Sequence, residues 1–159
     1  REKRSLYLSA ARSCIFDEVL SRRVVRDDWD ALAAGDVAVL AGSASWFPVD
    51  TPDAALAARL AAFDIHPSGP LWGSGDCPSR DAVRRLEEAA AARYGTFRAG
   101  LEACGSRHER RALRLVPEDL VAEPLPDGIR LSFTLPAGAY ATSVLREVAA
   151  LEDASIART

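Results

Sequence analysis

A chain of 159 residues that is 48 % hydrophobic and 27 % charged can bury one compact core and is too apolar to be intrinsically disordered. Its 20 basic and 23 acidic residues leave a net charge of -3, so the overall field does not attract nucleic acid and any polyanion site has to be local. No apolar run approaches the roughly 18 residues of a membrane-spanning helix, and the charged opening residues do not read as a secretory leader. The sequence opens at Arg1 and holds no methionine, from which a piece of a longer protein is expected. Every basic residue except Lys3 is an arginine, the cation whose planar fork best matches phosphate. Cys14, Cys77 and Cys104 are odd in number and show no CxxC or Cys/His spacing, so neither a zinc site nor a disulfide scaffold is expected, and three ordinary thiols in a reducing cytoplasm are.

In chain order, Leu6, Ala10, Ile15, Phe16 and Val19 recur at helical spacing and predict a first helix over 5–22. Asp27 or Asp28 can cap a short second helix through Trp29 and Leu32 that Gly35 ends. Residues 36–40 and 45–49 read as a hairpin around Gly42-Ser43, with Pro48 at an edge or strand end. Asp53 to Phe63 is an alanine-rich helix capped by Thr51 or Asp53. The stretch 66–75 carries so many glycines and prolines that it reads as a loop. Ser79 is expected to cap one long helix to about Cys104, weakened by Gly95 and Gly100. Alternation then predicts a strand over 112–116, and the Pro126-Asp127-Gly128 turn a hairpin of 120–124 with 129–135. A closing helix runs from Ala139 to Leu151 with Val144, Leu145 and Val148 facing a core. Helices mixed with antiparallel hairpins and no βαβ rhythm give an α+β fold.

The chemistry of common sites is missing from the pattern. The glycines of 69–75 lack the strand and Lys-Ser/Thr of a phosphate loop, and neither His66 nor His108 stands near a nucleophile elbow. The acidic run Asp27, Asp28 and Asp30 beside Arg22, Arg23 and Arg26 reads as capping and surface pairing. The one informative polar feature is Arg107, Arg110, Arg111 and Arg114. On one surface they would bind phosphate; otherwise they are a solvated run pairing with Glu109 and Glu118.

Three stretches go further: Arg1 to Ser13 (REKRSLYLSAARS), Arg110 to Arg114 (RRALR) and Leu135 to Glu147 (LPAGAYATSVLRE). Together, in this order and spacing, they resemble the TruD family of tRNA pseudouridine synthases. Gly35-Asp36, Ser45-Trp46-Phe47 and Gly69-Pro70-Leu71 resemble the insertion domain of that family. The resemblance implies that residues 1–116 are most of an insertion domain, lacking its start, and that 117–159 are a C-terminal segment of the catalytic domain. It implies isomerisation of uridine 13 of tRNA to pseudouridine without cofactor or metal, by an aspartate in a Gly-Leu-Lys-Asp-type motif. Nothing here matches that motif, so no catalytic residue is assigned in this chain, which alone is expected to be inactive.

What the chain is expected to contribute is tRNA binding through Arg107, Arg110, Arg111 and Arg114, and Tyr140 in the base pocket. An aromatic ring there can stack on an extruded uracil, or it can merely pack helix on sheet. Thr142, Arg146 and Glu147 also match the motif and are explained equally by a helix cap and a supporting Arg-Glu pair. One alternative is a non-catalytic RNA-binding or protein-interaction module; another is a small-molecule enzyme using the Gly69 to Gly75 loop. If partners of the 119–135 hairpin are absent, its edges and apolar surface favour self-association.

Overall fold

A computed structural model describes residues 2–136 and 138–150. Helix α1 is Glu2–Val25, and it buries Ile15, Phe16 and Val19. It runs past the predicted end because Arg23, 3 % exposed, is held inside by Asp36, 0 % exposed, at 2.6 Å. The expected second helix does not form. The Arg23 guanidinium donates to Asp28 O and Ala31 O, at 2.7 and 2.9 Å through Nη2, while Asp36 accepts from Ala33 N. Carbonyls held in this way cannot build a helical ladder, and Asp27 stands at a φ of 57°, so 26–35 is a turn wound around one buried cation.

Strands β1 (Asp36–Leu40) and β2 (Trp46–Val49) form the predicted antiparallel hairpin. Asp53 caps α2 (Ala54–Ala61) by accepting from Leu56 N at 2.8 Å. The expected loop after it is instead a strand, β3 (Ile65–Leu71). It pairs with β1 through Ile65 to Pro67 and with β4 (Glu109–Ala112) through Ser68 to Leu71, both antiparallel, giving a sheet of order β2-β1-β3-β4.

Two prolines are tolerated in this inner strand because of where their ring nitrogens point. Pro67 O accepts from Leu113 N, so by strand alternation Pro70 turns its ring nitrogen to the opposite, β1 side, where backbone pairing has ended. There the Ser68 hydroxyl donates to Val37 O and Arg110 Nη2 donates to Ser68 O at 2.6 Å. Gly69 is required by packing: a Cβ would stand 3.0 Å from both Leu113 Cδ2 and Phe16 Cε2.

The predicted long helix is two, α3 (Asp81–Arg93) and α4 (Gly95–Ala103), broken at Tyr94 with φ -108 and ψ 44. Ser79 does not cap α3; its hydroxyl donates to Glu87. Ile15, Trp72, Ala91 and Leu101 form one core cluster, and Ala38, Val49 and Ile65 another that Leu56 and Leu60 of α2 join. The last strand of the sheet begins earlier than the expected 112–116 because Glu109 to Ala112 are the residues facing β3.

The chain divides into two compact units, Arg1–Arg114 and Leu115–Thr159. In the second, β5 (Glu118–Leu125) pairs with β6 (Gly128–Thr134) around Pro126-Asp127, as the turn signal predicts. Helix α5 is Ala141–Val148, shorter than expected; Val144 and Leu145 are half-buried while Val148 is exposed, and the expected end at Leu151 lies outside the described residues. The architecture is α+β.

Gly69→Ala is expected to lower unfolding free energy by about 1–3 kcal/mol through overpacking against Phe16 and Leu113. Urea denaturation measures it; an unchanged midpoint would show that the close approach is relaxed at no cost.

Candidate nucleic-acid interface

Residue type and strand pleat together decide what the arginine run can do. Successive side chains of a strand point to opposite sides, so Arg110 and Arg111 of β4 cannot share a face. Arg110 turns to Glu87 of α3, and Arg111 lies over the Phe16 ring of α1 with its guanidinium carbon 5.3 Å from the centroid.

The Arg110 side chain is 1 % exposed and Glu87 0 %. Arg110 Nη1 and Nη2 donate to the two carboxylate oxygens at 3.0 and 2.8 Å, a bidentate pair. Ser79 Oγ donates to Glu87 Oε2 at 2.7 Å, and the Cys77 thiol donates to the same oxygen at 3.4 Å. Burial, and secondarily the carboxylate of Glu87, push that thiol above its ordinary value, so Cys77 is no reactive nucleophile. Arg110 Nε also donates to Ser68 Oγ. Each of its three guanidinium nitrogens therefore has an internal acceptor.

Arg114 is likewise engaged: Nε donates to His66 Nδ1 at 2.8 Å, and Nη2 to Leu60 O and Ile65 O. The four arginines thus do not make one patch. Arg107 and Arg111 are exposed and, among the described residues, their side chains make no hydrogen bond or ion pair. The stretch 69–75, expected to be a loop and used by the rival small-molecule reading, is partly strand: Gly69 to Leu71 belong to β3, and at Gly73 the backbone packs so closely on Ser106 O that a Cβ would not fit.

Sequence reading missed Glu87, Ser68 and Arg12. Arg12 of α1 donates through Nη2 to Leu71 O, Arg107 O and Glu109 Oε2, each at 2.9 Å. The helical spacing puts Arg12 away from the apolar face of α1, and nothing in the pattern paired it with the ends of β3 and β4, or Glu87 with a residue on β4.

In the second unit Tyr140 is the residue before α5 and is 73 % exposed. Gly138, at φ 86°, and the bond from Ala139 N to Pro136 O turn the chain into that position. Thr142 is inside the helix rather than its cap, and Arg146 and Glu147 are neighbours in sequence that form no ion pair among the described residues. The ring is open to a stacking partner, and within its own unit it is not packed away.

His66 and His108 both titrate below the ordinary imidazole value, His66 through burial and then Arg114, His108 through burial and then Arg110. The depressed folded value means that these groups favour folding above the unfolded value, about 6.5, and that the contribution is lost as the pH falls through the folded values. Urea midpoints are expected to drop from pH 7 to pH 5, and His66→Gln to flatten part of that slope. Glu87→Leu alone leaves Arg110 buried without a counter-charge and is expected to cost about 3–5 kcal/mol, whereas adding Arg110→Leu recovers much of it; equal losses in single and double variants would show that the pair is not the coupled unit.

A family model described as tRNA pseudouridine synthase D (TruD) matches residues 1–148. The chain is 47 % identical over 156 residues to a tRNA pseudouridine synthase D of Nitrosococcus oceani, covering 97 % of this chain and 44 % of that protein. It is 46 % identical over 149 residues to the one of Methylococcus capsulatus, covering 93 % and 42 %. The chain therefore spans less than half the length of the curated relatives it matches. A solved structure from Methanosarcina mazei named for the same synthase superposes with a TM-score of 0.64 at 23 % identity, over 86 % of this chain and 36 % of that one, which supports the α+β fold. By the family match along nearly its whole length, the chain belongs to the TruD family of tRNA pseudouridine synthases.

Proposed function

We propose that this chain is a tRNA-binding portion of an enzyme that isomerises a uridine of tRNA, uridine 13, to pseudouridine in the cytoplasm. The observation that carries the reading is the family match over residues 1–148. The geometry is consistent with it. Residues 1–116 supply the insertion domain and 117–159 a C-terminal segment of the catalytic domain. Arg107 and Arg111 carry guanidinium groups that are unpaired among the described residues and suit phosphate. Tyr140 offers a ring on which an extruded base stacks. Arg110 and Arg114, expected with them, serve the sheet first through their internal acceptors. No aspartate here is assigned the nucleophile's role: Asp36, the one buried among those described, is paired with Arg23.

The test uses an unmodified tRNA transcript. Binding by this chain is expected to weaken steeply as salt rises, as phosphate contacts do, with no pseudouridine formed. Tyr140→Ala, in the enzyme that contains the whole family sequence, is expected to reduce turnover by an order of magnitude or more, since stacking is worth about 1–3 kcal/mol per base. Salt-insensitive binding, or pseudouridine made by these 159 residues, would overturn the reading.

A further inference from the structure

One concave surface of the Arg1–Arg114 unit has no part in the buried network. Ser5, Ser9 and Arg12 of α1, Leu71 at the end of β3, Ser106 and Arg111 line a cleft of about 340 Å³. Ser5, Ser9 and Arg12 stand at i, i+4 and i+7, so one helix face presents two hydroxyls and a cation. Arg12 is 19 % exposed; its three contacts all run through Nη2, and its Nε is buried with no acceptor among the described residues. Those contacts fix the guanidinium on the ends of β3 and β4. Arg111 is held by the Phe16 ring while its donors have no partner among the described residues. Ser106 is fixed as well, its carbonyl accepting from Ser74 N at 2.6 Å and Ser74 Oγ at 3.0 Å. The opposing charges are Glu109, which pairs with Arg12 from an exposed position, and Asp17, whose carboxyl feels Arg111 although burial raises it overall.

Two guanidinium groups and three hydroxyls around one hollow form a donor set for a tetrahedral anion, and the planar fork adds bidentate geometry. We propose that this cleft holds one phosphodiester group of the tRNA backbone, with Arg111 as its direct donor, Ser5, Ser9 and Ser106 supplying hydroxyl hydrogen bonds, and Arg12 fixing the positive potential of the floor. The inference rests on the reading of the chain as a tRNA-binding segment and narrows the phosphate site from the arginine run to a hollow between helix and sheet that only Arg111 of that run lines. Such a contact positions the substrate and reads no sequence.

The experiment measures tRNA affinity of the full chain against salt concentration for the parent protein, Arg111→Gln and Ser9→Asp, with Arg84→Gln as a charge-matched control on α3, and with thermal melts confirming that each is folded. Arg111→Gln is expected to weaken binding about tenfold and to lower the salt slope by about one. Ser9→Asp, which leaves every arginine in place and adds a negative charge to the hollow, is expected to weaken binding by a similar factor. Arg84→Gln leaves both quantities near the parent values. If the parent binds tRNA and the cleft variants match it, or Arg84→Gln loses as much as Arg111→Gln, the cleft assignment falls and the tRNA reading stands. If the parent binds no tRNA, both fall. Inorganic phosphate is expected to compete only weakly; saturable phosphate binding that excludes tRNA binding would mark a small-anion site instead and overturn the proposal.

Discussion

A carboxylate shut away from water must be met by donors, and in this protein Glu87 is met by Arg110. The pair joins α3 to β4, and through Ser68 it reaches β3 and the carbonyl of Val37 on β1. Ser79 closes the remaining side of the carboxylate. Separating the two charges inside a low-dielectric interior is costly, so the arrangement has few alternatives once formed. It also ties down the strand that holds two prolines: the guanidinium donates to Ser68 O, and the Ser68 hydroxyl donates to Val37 O. Because Arg110 is turned inward, the pleat sends Arg111 to the other side.

Legibility in the sequence follows the range of the interactions. The β1–β2 hairpin, the Asp53 cap of α2, the core face of α1 and the hairpin around Pro126-Asp127 are written in neighbouring residues, and they stand where local patterns put them. Three elements depend on distant partners and were read wrongly. Residues 66–71 look like a loop because their proline and glycine content is local, whereas the strands β1 and β4 that pair with them are distant in sequence. The turn at 26–35 looks like a capped helix because Arg23 reaches Asp28 and Ala31 only once it is buried on Asp36. The α3–α4 break at Tyr94 falls beside Gly95, whose weakness as a helix former was visible but whose position as a hinge between helices was not.

The candidate site divides in the same way. That the chain carries arginines at 107, 110, 111 and 114 is a matter of composition; which of them keep their donors is decided by strand alternation and by Glu87 and His66, neither of which is near them in sequence. Tyr140, just before α5, presents an exposed ring. Arg12 lies within the stretch Arg1 to Ser13, where a helical arginine spaced with serines looks like a solvated face until the ends of β3 and β4 are placed against it.

Pro48 lies in β2, the outermost strand on its side of the sheet. Val49 O accepts from Gly35 N and so points inward; by alternation Pro48 presents its backbone to solvent. A residue without an amide hydrogen there leaves that outer rim with Trp46 as the only amide donor in the strand facing outward. A stray β-segment from another molecule would find no continuous row of donors along which to zip, so the border of the sheet is a terminus rather than a template for stacking copies into a fibre.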